Sequence, residues 1–164
     1  MKFLKIVLLV VSLATMAGCA GTKEMFGIAP AAQGQFFMGP VDRDPNGVVV
    51  YVYRPKGYAY QPDVFINGVN RSLLGPGAFL QAVERSGKVQ IVVQANRDLG
   101  NWNFKPIGIT VDAKAGERRY FRISAGLSSL VVLPVAGAVG YTGGIEEVPE
   151  SVALQEMREA RAMR

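Results

Sequence analysis

Hydrophobic and polar positions change their rhythm twice along the chain. Ile6 to Ala17 is a largely apolar run of 12 residues, ending in small residues, behind Lys2 and Lys5. Ala20 to Asn46 is rich in Gly, Ala, Pro and Gln and holds no period of 2 or 3.6, so it reads as flexible linker. From Val48 onward, short apolar or alternating runs are separated by Gly, Pro and Asn turns, the rhythm of β-strands. Val48–Tyr53 is apolar at every position, as a central strand buried on both faces must be. Pro62–Ile66, Asn67-Gly68 and Val69–Leu74 predict a hairpin, because Asn-Gly suits the two φ > 0 positions of a type I′ turn.

Further strands are predicted at 78–85 and 88–95, around Ile107–Val111 and at 117–124. In the last of these, Phe121 and Ile123 share one face and Arg118, Tyr120 and Arg122 the other. Leu130–Val139 is an apolar run broken by Pro134, readable as an edge strand plus loop or as an exposed loop meeting lipid or a partner. Pro149 opens a terminal helix whose arginines at 158, 161 and 164 would complement the C-terminal dipole, packed weakly on the sheet. Strands every 8–12 residues, with no helical period before Glu146, predict an all-β antiparallel sandwich with a short C-terminal helix.

The leader run is too short for a bilayer-spanning helix, which needs about 20 residues, and fits the hydrophobic core of a secretory signal. It ends at Met16-Ala17-Gly18-Cys19, on the only cysteine of the chain. These four residues resemble the lipobox of bacterial lipoproteins, which implies cleavage before Cys19 and acyl chains on that cysteine. Ala20 follows where an aspartate would resemble an inner-membrane retention signal, so the resemblance implies the outer membrane, facing the periplasm. Two or three acyl chains anchor durably, since each buried methylene contributes about 0.8 kcal/mol. The expected organisation is a signal peptide at 1–18, a tether at 19–46, a β-sandwich at 47–148 and a helix at 149–164.

Composition narrows the chemistry. There is no histidine, which removes His-based triads and most zinc sites. The formal charge of +5 falls to about +3 without Lys2 and Lys5, and the basic residues are scattered, so nucleic acid is not an expected partner. Carboxylates are the remaining acid–base groups. Asp42 and Asp44 fall in the linker, and the adjacent Glu146 and Glu147 point to opposite faces of a strand. No catalytic residue, metal or cofactor is expected.

Val50-Tyr-Val-Tyr-Arg-Pro55, Val64-Phe-Ile-Asn-Gly68, Ala78-Phe79, Ser86-Gly-Lys-Val-Gln-Ile91 and Ala115-Gly-Glu-Arg-Arg-Tyr-Phe121 occur in that order. The set, spanning about residues 47–148, resembles an uncharacterised group of bacterial lipoproteins that carry a domain of unknown function. It is also similar to small transthyretin-like and PEGA-type β-sandwiches. The resemblance implies fold and location and carries no activity with it.

Two surface candidates remain. Tyr58, Tyr60 and Trp102, beside the amides of Asn101 and Asn103, could stack on a glycan or other small ligand. Leu130, Val131, Val132 and Leu133 could meet an envelope protein, as they would in a subunit of a secretion or envelope complex. The expected role is thus a non-catalytic structural or interaction function in the cell envelope, with Cys19 as the lipid attachment site.

Overall fold

The computed structural model describes residues 34–57, 61–94, 105–132 and 137–163; for 125–132 and 137–142 the description extends to the backbone alone. The predicted all-β sandwich is what the chain forms. One sheet contains β1 (Gly47–Arg54), β4 (Ala78–Arg85), β7 (Arg118–Val132), β8 (Gly137–Glu147) and the short β9 (Arg161–Ala162). Its order is β8-β7-β1-β4-β9. The other contains β2 (Asp63–Ile66), β3 (Val69–Leu73), β5 (Gly87–Gln94) and β6 (Ile107–Ala113), in the order β3-β2-β5-β6.

β1 is buried along its whole length, and the reason is a third layer. Val48, Val50 and Val52 face the core between the sheets, against Val64, Ile91 and Phe121. Val49, Tyr51 and Tyr53 face the opposite way and are covered by the C-terminal segment. Each fully buried valine contributes about 1.5–3 kcal/mol, so an unbroken apolar strand pays off only where both faces are covered.

Pairing is mostly antiparallel, with two exceptions that alternation cannot signal. β1 runs parallel to β7, and β4 runs parallel to β9. Between β1 and β7 the chain runs through β2–β3, returns as β4 and leaves again as β5–β6, and between β4 and β9 it passes through β5–β6 and then β7–β8.

The turns follow backbone chemistry. Asn67 (φ 50) and Gly68 (φ 78) form the expected left-handed pair between β2 and β3. Ser86 alone separates β4 in one sheet from β5 in the other, and Gly87 at φ 118 makes that sheet switch possible.

The end of the chain differs from expectation. The helix α1 covers only Glu150–Glu156, a 3₁₀ turn follows at Met157–Glu159, and the chain then becomes strand β9. No basic residue lies in the last turn of α1; Arg158 falls in the 3₁₀ turn that continues it, and Arg161 lies beyond the helix end in β9. Nor is the packing weak. Ala153 and Met157 are fully buried over Tyr51, Tyr53 and Tyr120. Hydrogen bonds with the sheet, not helical periodicity, hold this segment.

The strand predicted at 117–124 continues to Val132 and pairs with β8 from Phe121 to Val132, with a register shift between Leu127 and Ser129. β7 pairs with β1 only as far as Arg122, opposite Tyr53. Beyond that row, among the described residues, β7 and β8 continue as a two-stranded ribbon.

Candidate functional site

One row of residues crosses the first sheet at the end where β1 stops. Arg122 of β7 is opposite Tyr53 of β1, Tyr53 is opposite Phe79 of β4, and Phe79 is opposite Ala162 of β9. Ala162 N–H then donates to the Gln35 carbonyl at 2.8 Å. The row therefore joins the start of the ribbon, the central strand, the C-terminal strand and the segment that leads back towards Cys19.

Phe36-Phe37-Met38 divides its work within that segment. Phe37 N–H donates to Ala160 O at 2.9 Å, and its ring packs edge-on against Phe79 and Tyr51, with centroids 5.4 and 6.0 Å apart. The Arg161 guanidinium lies 3.8 Å over the half-exposed Phe36 ring. Met38 is 91% exposed. Further on, Val41 N–H donates to the Tyr51 hydroxyl at 2.8 Å, and Arg118 donates to the Val41 carbonyl at 3.2 Å. Asp44 O accepts from Gly116 N–H at 2.9 Å. Residues 35–46, read from composition as the end of the tether, are thus fastened along the body.

A tyrosine–carboxylate–arginine network binds α1 to the same face. Tyr53 donates to Glu156 at 2.5 Å, and Tyr120 donates to Glu150 at 3.0 Å. Arg122 reaches Glu156 at 2.5 Å and Glu146 at 2.8 Å, while Arg118 reaches Glu150 at 3.1 Å. Glu147 pairs with Arg119 at 2.9 Å, so Glu146 and Glu147 do serve opposite faces. Tyr51 and Tyr120 stack beneath, nearly parallel, with centroids 5.0 Å apart.

Burial raises the pKa of Tyr53 and Tyr120 above the ordinary tyrosine value, and the hydrogen bonds to Glu156 and Glu150 raise both further. Tyr51 is raised by burial as well. Neutral tyrosines donating to arginine-held carboxylates make a clamp between sheet and helix. Among the described residues, no group of three His, Cys, Asp or Glu side chains is arranged to hold a metal ion. No helix among them is long and apolar enough to cross a membrane.

Two clefts adjoin this row. One, of about 300 Å³, is lined by Arg54, Pro55, Lys56, Arg122 and Glu146. The other, of about 520 Å³, opens between the sheets beside Phe36, Met38, Arg71, Gln81 and Met163. Arg71 and Asn67 of the β2–β3 hairpin both hold Glu84 of β4, and so bridge the two sheets.

Cys19, Tyr58, Tyr60, Trp102 and Leu133 lie outside the described residues. Leu130, Val131 and Val132 belong to the β7 backbone of the ribbon. The junction row was not legible in advance, because register between distant strands has no local signal. Phe36-Phe37, apolar residues within a Gly/Ala-rich stretch, were the one hint. No family model matches the chain, and neither does any curated protein or solved structure.

Proposed function

We propose that the chain is a lipid-anchored lipoprotein of the cell envelope, held at the outer membrane by acylated Cys19 and facing the periplasm. Its β-sandwich has a non-catalytic structural or interaction role. The observation that carries the reading is the junction: sixteen residues after Cys19, Gln35 is locked against the C-terminal strand. A linker of that length has a typical reach of about 20–24 Å, which holds a body close to a bilayer. Fastening its far end on both β9 and Tyr51 of the central strand transmits any pull on Cys19 to the sheet instead of to a loose loop.

Expression of the chain and its Cys19→Ser variant in cells given a labelled fatty acid tests this. The expected result is label and membrane partition for the parent, with both lost in the variant. Unlabelled parent, or a variant that still partitions fully with membranes, would overturn the anchor.

A further inference from the structure

We infer that the free edge of β4 is a self-association surface, on which a second copy of this chain adds its own β4, antiparallel, about a twofold axis at Val83. On one side β4 pairs with β1 from Ala78 to Arg85. On the other side β9 pairs only with Ala78 and Phe79. Among the described residues, no strand continues that edge past Phe79.

The bonds to the C-terminal segment fix which backbone groups this edge presents. Gly77 O accepts from Arg161 N–H and Phe79 O accepts from Met163 N–H, both at 2.9 Å. A strand turns its N–H and C=O to alternate sides residue by residue, so Gln81, Val83 and Arg85 aim theirs outwards as well. All three are exposed, Val83 by 53%. After Arg85, the Ser86-Gly87 corner carries the chain into the second sheet. The open window is thus 81–85, and Val83 is its centre.

Only one twofold register uses the whole window. Val83 then lies opposite the partner's Val83, and Gln81 lies opposite the partner's Arg85, so each outward residue exchanges hydrogen bonds with its opposite number. The two arginines stay apart. Moving the axis one pair towards Phe79 drives the partner's Arg85 into β9. Moving it the other way sets Gln81 against the partner's Gly87, which has already left the sheet.

The ends of the window are unlike and match each other across the axis. One end opens into the cleft of about 520 Å³ lined by Met38, Arg71, Gln81 and Met163. The other is the exposed Ser86-Gly87 corner. The twofold seats the corner of each copy at the cleft of the other, where Met38 gains apolar cover. The usual guards of a free edge are missing from 81–85, which has no proline, lysine or bulge. Its one inward-pointing charge, Glu84, is held by Arg71 and Asn67 of the same chain. So short a pairing predicts a weak dimer.

The test uses the full chain with Cys19→Ser in mild detergent, so that an introduced cysteine is the only thiol. Hydrogen-bonded neighbours across antiparallel strands have Cα atoms about 5.5 Å apart, within disulfide range. Val83→Cys should therefore form a disulfide-linked dimer under mild oxidation. Val69→Cys, equally exposed on β3, should stay monomeric. Val83→Lys sets like charges together on the axis and should raise the dimer dissociation constant in sedimentation by about tenfold or more. Circular dichroism checks that each variant keeps its strands.

A Cys19→Ser chain that stays monomeric to millimolar concentration, equal crosslinking at Val83 and Val69, or a dimer indifferent to Val83→Lys would overturn the proposal. So would a monomer that dimerises once residues 20–33 are removed, because this chain's own tether would then hold the edge.

Discussion

Tyr53 and Glu156 are 103 residues apart in sequence, and the tyrosine hydroxyl donates to the carboxylate at 2.5 Å. That bond joins the most buried strand to the last turn of a helix only seven residues long. So short a helix is unstable alone, and the sheet holds it in place. Tyr53→Phe should cost about 1–2 kcal/mol, towards the low end for a charged partner because Arg122 still holds Glu156. In a cycle of Tyr53→Phe and Glu156→Gln followed by urea unfolding, coupling above about 0.5 kcal/mol is expected. Strict additivity would show that the clamp does not act as a pair.

The same tyrosines set an alkaline limit. Their folded pKa values lie above the ordinary 10.0, so the folded protein binds the proton more tightly than the unfolded chain. That stability is fully present below pH of about 10 and is lost as pH rises through the folded values. The tyrosinate absorbance of Tyr53 and Tyr120 should therefore appear only above pH of about 10, together with loss of β-sheet circular dichroism. A single titration near pH 10 with the fold intact would contradict the clamp.

Asn67 does more than turn the chain. Its side chain accepts from Gln90 N–H at 2.9 Å and donates to Glu84 at 2.9 Å, tying the hairpin tip to both sheets. Asn67→Gly keeps the left-handed geometry but loses these bonds, at about 1–2 kcal/mol. Asn67→Ala adds about 1 kcal/mol of backbone strain at φ 50. Urea midpoints should fall in the order Asn, Gly, Ala, and equal midpoints for all three would refute both roles.

Gly34 leaves no room for a side chain, because a Cβ there would come within 2.0 Å of the Ala162 carbonyl oxygen. Gly34→Val should lift the segment that follows and speed tryptic cleavage after the already exposed Arg43, with little change in strand content. Phe37→Ala should do the same by removing the ring wedged against Phe79 and Tyr51. Cleavage no faster than in the parent would mean that the segment is held from elsewhere.

Much of this architecture was legible from local patterns, because local patterns report local physics. The Val48–Tyr53 run announced a strand covered twice, and Asn67-Gly68 announced its turn through backbone conformation alone. Glu146 and Glu147 were separated by strand alternation before any partner was known. The lipobox-like Met16–Cys19 is likewise a purely sequential signal, and Cys19 as an anchor rests on it.

Other features belong to the tertiary structure because they depend on which distant strands become neighbours. Alternation is the same in parallel and antiparallel strands, so nothing local distinguishes the β1–β7 pairing from its reverse. Residues 35–46 have linker composition, yet Phe37 and Val41 are fixed by Tyr51 of β1 and Val41 also by Arg118 of β7. The terminal arginines suit a helix end, but strand pairing at Phe79 captured Arg161 and Ala162 for a sheet edge. The row from Arg122 to Gln35 exists only because five separate segments share one register. Cooperative backbone hydrogen bonding sets that register, and no single segment encodes it.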